Sequence, residues 1–287
     1  MEPSELGRAV AAAISTANEL GLTADAAVVL HDSNRVALRV MPCDMLARVA
    51  GPAHAEVAML EIEIAQRLAE LEAPVAAVAP RVGHRVYERD GFWITLWTYY
   101  DSVASPGLQP ADYAEALKRL HAGLRNLEVI TPHFTDRVAE AHQLVARAEA
   151  TPALTDADRE LLDRSLRNVT LGVASRSAAE QLLHGEPHRG NVLNTTRGPL
   201  FVDLETVCRG PLEFDLAHVP HAVSDRYPGI DQELLGELRG LVLAMVAAWR
   251  FDKTDKLPNG GRAGRQLIDA LRQGPPYPSL DSMAGDS

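Results

Sequence analysis

The chain has little cysteine. Only Cys43 and Cys208 occur in 287 residues. Two thiols build no disulfide framework and these have no metal-ligand spacing, so a reducing cytoplasm is the expected setting. The sequence also lacks any run near the roughly 20 apolar residues that a membrane span needs. The start, Met1-Glu-Pro-Ser-Glu5, has no positive n-region, and Ser15, Asn18 and Glu19 soon break the Ala-rich run that follows. A secretory signal is therefore not expected. Cations are in deficit, with 28 Lys and Arg against 39 Asp and Glu and a formal net charge of -11. A general nucleic-acid binder needs a basic face to release counterions, which argues against that class. There is no internal repeat, and no low-complexity block beyond an alanine bias.

What is present is an ordinary globular composition, 46% hydrophobic and 23% charged, on a chain long enough for two lobes around a cleft. A helix capped by Ser4 and ended by Gly21 is expected over residues 4–20. Ala26–Leu30 and Val36–Met41 read as short strands around His31-Asp32-Ser33-Asn34, a turn without a Gly-x-Gly pattern. A helix follows over Ala53–Leu71, with an apolar stripe at Val57, Leu60, Ile64 and Leu68. Val82–Tyr87 and Phe92–Trp97 are expected as strands about the turn Arg89-Asp90-Gly91. The remainder reads as mostly helical, over 110–127, 134–150, 156–170 and 232–251, with a short helix near 265–272. Gly274-Pro-Pro-Tyr-Pro then opens a loosely held tail to residue 287.

The densest chemistry lies in His184-Gly-Glu-Pro-His-Arg-Gly-Asn-Val-Leu193, followed by Asp203. Glu186 and Asn191 stand five apart. Between Asn191 and Asp203, short apolar strands flank the turn Thr195-Thr-Arg-Gly198, so the segment reads as a hairpin centred near Arg197. Residues 191 and 203 are each six from that centre, and pairing about it would set them opposite each other. An amide oxygen beside a carboxylate is a donor set for a hard cation such as Mg²⁺. Another reading groups His184, Glu186 and His188 with His218 and His221 as a transition-metal cluster of a metal-dependent hydrolase. It leaves Asn191, the hairpin and Asp203 without a role.

His184-Gly-Glu-Pro-His-Arg-Gly-Asn191 resembles the His-Gly-Asp-x-His-x-Gly-Asn motif of the aminoglycoside phosphotransferase family, small-molecule kinases with a protein-kinase-like fold. Phe201-Val-Asp203-Leu-Glu205 is similar to that family's metal-binding segment. Gly210-Pro-Leu-Glu-Phe-Asp215-Leu-Ala217 resembles its Gly-Pro-x-x-x-Asp-Leu-Ala element. The three occur in order. One departure stands out, Glu186 where the family usually has Asp.

The resemblance implies an α+β, two-lobed fold: a small antiparallel-sheet N-lobe over 1–96, a hinge at 97–102 and a mainly helical C-lobe over 103–273. It implies transfer of phosphate from ATP or GTP to a hydroxyl of a small molecule, such as an aminoglycoside-like antibiotic or a hydroxylated metabolite. Glu186 would orient and deprotonate that hydroxyl, while Asn191 and Asp203 would hold Mg²⁺. Arg39 occupies the strand position of the kinase Lys that pairs with the α/β-phosphates, and a guanidinium fork suits phosphate. Glu61, ahead of Glu56 and Glu63, would be the helix carboxylate that pairs with the strand cation. Ser33 and Asn34 would touch phosphate from the turn. Trp97 and Tyr99 would stack on the base at the hinge. Asp215 would brace the catalytic loop through backbone contacts.

Two further expectations concern function. Replacement of Asp by Glu186 also suits a kinase-fold nucleotide-binding protein with little or no transfer. The acidic excess of residues 203–237, eight carboxylates against two Arg, points to a cationic, amine-bearing acceptor.

Overall fold

The structure is a computed structural model that describes residues 3–32, 35–103, 107–174 and 179–283. Ser33 and Asn34 lie outside the described residues. The chain divides into two compact units, residues 1–107 with 193–205, and residues 108–192 with 206–287.

The first unit, the N-lobe, opens with helix α1 (Pro3–Glu19) and strands β1 (Ala24–Asp32), β2 (Val36–Pro42) and β3 (Met45–Ala50). Helix α2 (Ala55–Glu70) and strands β4 (Tyr87–Arg89) and β5 (Phe92–Thr98) follow. The five strands form an antiparallel sheet in the order β1-β2-β3-β5-β4. Strand alternation sends Val36, Leu38, Val40, Ala47, Val49, Ile94 and Leu96 to one face, where they are buried. Ala9, Ala12, Ala13 and Ala17 of α1 complete that core. Alanine favours helix and has no bulk beyond Cβ, so α1 can lie close against the sheet. The opposite face carries Arg39 and Arg48, and there α2 buries Glu61, Ile62, Ile64, Ala65 and Leu68.

Two strand expectations are corrected. β3 was absent from the sequence reading, although Met45-Leu-Ala-Arg-Val-Ala50 alternates buried and half-buried residues. The strand expected over Val82–Tyr87 is irregular until Tyr87. The backbone instead turns on itself there, with Val82 N–H donating to Ala79 and Arg85 N–H to Gly83.

The second unit, the C-lobe, begins with α3 (Pro110–Arg125), α4 (Phe134–Ala146), α5 (Asp156–Ala174) and β6 (Glu180–Leu183). The chain then supplies the N-lobe with the hairpin β7 (Val192–Thr195) and β8 (Gly198–Phe201), which turns at Thr196-Arg197. It returns as β9 (Cys208–Pro211), paired antiparallel with β6. Helices α6 (Leu212–Ala217), α7 (His221–Ser224), α8 (Gln232–Arg250), α9 (Gly260–Gln273) and α10 (Leu280–Met283) complete it. Asp231 caps α8 by accepting from the N–H groups of Glu233 and Leu234. Residues beyond Gly274, expected as a loose tail, pack as far as Met283. Tyr277 lies against Gly240, and Ser279 is buried.

Candidate active site

In the C-lobe, everything converges on the loop after β6. Asp215, fully buried on α6, accepts from the backbone N–H groups of His184 (2.9 Å) and Gly185 (2.8 Å). His121 of α3 stands with Nε2 2.9 Å from the same carboxylate and Nδ1 3.1 Å from the Tyr227 hydroxyl. Burial raises the Asp215 carboxyl, but the His121 hydrogen bond and the neighbouring charges outweigh it, so the group stays below its usual value. The brace expected of Asp215 is thus present. His184 is buried, its carbonyl accepts from Thr206 Oγ1 (3.0 Å), and its Nδ1 accepts from Glu186 N–H (3.4 Å). Gly185 has φ +90°, and a Cβ there would collide with the Thr206 carbonyl, so only glycine fits. Tyr113 of α3 donates its hydroxyl to the Pro187 carbonyl.

This scaffold presents Glu186 and Asn191. The Asn191 Nδ2 donates to the Glu186 carbonyl (3.0 Å), which fixes which end of the amide is oxygen. The Glu186 carboxylate is paired with Arg137 of α4. Arg137 in turn lies over the Trp249 ring of α8, 4.9 Å from its centroid. Burial pushes the Glu186 carboxyl up, while the charge of Arg137, with His218, and the Arg137 hydrogen bond hold it below the ordinary range. Beside it, burial pushes His218 down to about 4. The Phe214 carbonyl can only accept, so the His218 ring proton sits on Nδ1, 2.9 Å away. A pocket of about 420 Å³ opens on Glu186, walled by α8, α9 and α10.

The N-lobe sets two of the predicted residues, Glu61 and Asp203, in a charge cluster. Glu61, 1% exposed, accepts from Arg35 (2.7 Å), from Arg48, and from the Leu204 N–H (3.1 Å). The same two arginines reach Asp203 Oδ1, and Arg35 also pairs with Glu205. Glu61 and Asp203 are therefore brought together. Asp203 has φ +66°, the left-handed region that Asp tolerates better than most residues. Such strain is retained where surrounding contacts over-determine it. The desolvation of Arg48 works against its charge, but Glu61 and Asp203 more than offset this and raise its pKa.

Arg39 is not the strand partner of Glu61, and that expectation is corrected. It shares the face of Arg48 but sits opposite Leu46, whereas Arg48 lies opposite Ala37 and Thr95, one pair further along. Its guanidinium binds Asp44 (2.7 Å) and covers the Tyr99 ring at 3.9 Å. Trp97 is 4% exposed, and its indole N–H donates to Thr95 (2.8 Å), which makes it a core residue and not a free base platform. Tyr99 remains half-buried under Arg39. Arg35, Arg48 and Arg137 were the residues missed in sequence. For Arg48 the only signal was a weak one, the alternation of residues 45–50.

The histidines do not converge on a transition metal. His184 and His188 spend Nδ1 on the N–H groups of Glu186 and Gly190, while His218 donates from Nδ1 to the Phe214 carbonyl and His221 from Nε2 to the Tyr277 carbonyl. Among the described residues, no group of three or more His, Cys, Asp or Glu is placed to hold a metal ion. No helix of the described residues is long and apolar enough to cross a membrane.

An antiparallel N-lobe whose helix carboxylate meets a strand arginine, and a helical C-lobe with a braced Glu-x-x-x-x-Asn loop, define the protein-kinase-like class of small-molecule kinases. Residues 19–253 match the phosphotransferase enzyme family, and the chain belongs to that family. Among solved structures, it is similar to the amicoumacin kinase hAmiN in complex with AMP-PNP, Ca²⁺ and Ami, with TM-score 0.68, 9% identity, and 90% and 92% of the two chains covered. It is also similar to the GDP complex of aminoglycoside 2'-phosphotransferase-IIIa, with TM-score 0.66, 12% identity, and 95% and 99% covered. A Plasmodium vivax ethanolamine kinase aligns with TM-score 0.62, 14% identity, and 90% and 84% covered. No curated protein matches the chain.

Proposed function

We propose that this protein transfers the γ-phosphoryl group of ATP or GTP to a hydroxyl of a small molecule. The observation that carries the reading is the catalytic loop itself. Asp215 and His121 pin its backbone, and it holds Glu186 at the mouth of a pocket with Asn191 bonded to the same residue. In this reading Glu186 orients the acceptor hydroxyl and accepts its proton. A carboxylate held below its usual range is ionised at neutral pH, so it can accept a hydrogen bond from the hydroxyl, and its proton-accepting strength is reduced by Arg137.

Asn191 and Asp203 are the residues that would hold Mg²⁺. The Asn191 amide nitrogen is spent on the Glu186 carbonyl, so its oxygen is the atom left to a cation, and Asp203 adds a carboxylate. These hard oxygen donors fit the ion. When bound, Mg²⁺ supplies neutralisation of charge on the β- and γ-phosphates. Arg48 and Arg35, anchored by Glu61, orient the Asp203 carboxylate, and Arg48 takes the nucleotide-facing strand role expected of Arg39. Positioning and electrostatics carry such transfers, so the metal donors matter more than the base.

A second reading, nucleotide binding with little or no transfer, is favoured by one specific feature. The Glu186 carboxylate and the Asp203 Oδ1 are both already engaged by guanidinium groups. The test is a screen of hydroxylated metabolites and antibiotics for acceptor-stimulated release of ADP or GDP, with and without Mg²⁺. Release that depends on acceptor and Mg²⁺ supports transfer. Mg²⁺-dependent nucleotide binding without turnover on any acceptor supports the second reading.

A further inference from the structure

We propose that the pocket beside Glu186 takes an alcohol carried on an apolar, ring-sized body, with one hydrogen-bond donor placed for Asp281, and that it disfavours polycationic aminosugars. This deepens the transfer reading above and rests on it for the role of Glu186.

All residues lining the pocket belong to the C-lobe. Val246 and Trp249 lie one turn apart on α8, and Ala263 and Leu267 lie one turn apart on α9. Leu280 and Met283 come from α10, the segment expected as loose tail. Leu257, in the loop between α8 and α9, is 50% exposed at the rim. A volume of about 420 Å³ falls in the range of small-molecule sites, which are mostly apolar with a few placed polar groups. Trp249 is held by Arg137, which also binds Glu186. One guanidinium thereby fixes both the reacting carboxylate and the aromatic wall, so a substrate body packed on the indole stands in fixed register to the base.

Charge decides against a polycation. The Glu186 carboxylate is already matched by Arg137, and Arg250 on the wall is matched by Asp255 at 3.2 Å. Five of the eight carboxylates in the acidic stretch that suggested a cationic acceptor are spent elsewhere. Asp203 and Glu205 serve Arg35 and Arg48, and Asp215 braces the loop. Glu213 accepts from the Asp231 N–H, and Asp231 caps α8. None of these five lines the pocket. Asp281 is different. It lines the pocket, its Oδ2 is buried without a hydrogen-bond partner, and burial pushes its carboxyl up against the opposing pull of His188, Arg189 and the Arg189 backbone N–H. A buried acceptor without a donor is costly, and one N–H or O–H of a ligand would satisfy it. One such position suits one donor. Several ammonium groups in an apolar pocket would go unpaired.

The test uses the full chain with Mg²⁺ and AMP-PNP or GMP-PNP, and calorimetric binding of three probes. Propranolol presents a hydroxyl, an aromatic body and a single amine; kanamycin is a polycationic aminosugar; glucose is polar and neutral. Propranolol is expected to bind at least tenfold more tightly than either of the others. Trp249→Ala should weaken it roughly tenfold or more, as loss of a buried aromatic contact does. Because Trp249→Ala also removes the ring under Arg137, Leu257→Asp at the exposed rim provides a variant with little folding cost, and it too should weaken propranolol. Asp281→Asn should weaken propranolol more than 2-(1-naphthyl)ethanol, which lacks the amine. Kanamycin binding as tightly as propranolol, indifference of propranolol to both Trp249→Ala and Leu257→Asp, or no binding of propranolol below millimolar concentration would each overturn the proposal. The two readings fail separately. Trp249-dependent binding without diphosphate release from ATP or GTP sinks transfer and leaves the pocket chemistry standing. Kanamycin-stimulated release with no apolar binding does the reverse.

Discussion

Arg137 donates to the Glu186 carboxylate while its guanidinium covers the Trp249 ring. This pair gives a physical reason for glutamate at a position where the resembled family usually has aspartate. The extra methylene carries the carboxylate further from the loop backbone, and Arg137 fixes its far end.

Shortening the side chain should therefore cost activity even though it restores the usual residue. Glu186→Asp is expected to lower turnover, because a misplacement of about 1 Å can cost about a hundredfold. Glu186→Gln should lower it further, since the amide cannot accept the proton. Arg137→Ala should also lower turnover, with a loss of stability of about 3 kcal/mol from the unpaired carboxylate, whose side chain is 21% exposed. Steady-state rates with an identified acceptor, alongside denaturant melts, decide this. Near-native turnover in Glu186→Gln would remove Glu186 as the base.

The N-lobe cluster separates two arginines that look alike in sequence. Arg48 is 16% exposed and pairs with both Glu61, 1% exposed, and Asp203, so Arg48→Ala leaves two carboxylates short of a cation. A loss of about 3 kcal/mol is expected, with weaker nucleotide binding. Arg39→Ala removes an exposed pair with Asp44 and a contact with Tyr99, and its melting temperature should stay close to that of the parent. Equal effects of the two substitutions on nucleotide affinity would contradict the assignment of Arg48 over Arg39.

What could be read from the chain differs by residue in a way that follows the physics. Glu186, Asn191, Asp203 and Asp215 lie within thirty residues on one loop, hairpin and helix start, where spacing alone constrains geometry. The long helices were legible because their apolar stripes repeat every three to four residues. β3 was not, because six residues with two alanines make a weak strand pattern between a turn and a helix. Missing it moved the strand cation from Arg48 to Arg39, since Glu61 pairs with an arginine one strand later than expected. Arg137 carried no local signal at all. Its meaning comes from packing of α4 against a loop 49 residues later. Trp97 fails as a base platform for a different reason: it shares the sheet face of Arg48, but it is covered there and its indole donates to Thr95.

The metal donors give a prediction that does not depend on knowing the best acceptor. Asn191→Ala and Asp203→Ala should each reduce transfer roughly a hundredfold or more, as loss of a group that stabilises transition-state charge does. The nucleotide should then bind with little dependence on Mg²⁺, which titration of Mg²⁺ against nucleotide affinity reads directly. Asp203→Ala also removes a partner of Arg35 and Arg48, so its fold needs checking by circular dichroism. Near-native turnover of Asp203→Ala at saturating Mg²⁺ would show that the ion is held by other residues.

His218 sets an acid limit on stability. Its side chain is 2% exposed, its Nδ1–H donates to Phe214, and burial lowers its pKa from 6.5 to about 4. The unfolded chain therefore binds a proton on this ring at higher pH than the folded chain does. The sign follows: the stability tied to neutral His218 is fully present above about pH 6.5 and is lost progressively as the pH falls toward 4. The difference between the two pKa values corresponds to on the order of 3 kcal/mol across that window. Glu186 and Asp215, both held below their usual range, add losses of the same direction at lower pH. Replacing the ring by an amide in His218→Gln should lower stability at pH 7 but flatten the curve between pH 6.5 and 4. Urea midpoints measured across that range for the parent and the variant provide the check, and parallel curves would mean that His218 binds its proton equally well in the folded and unfolded chain.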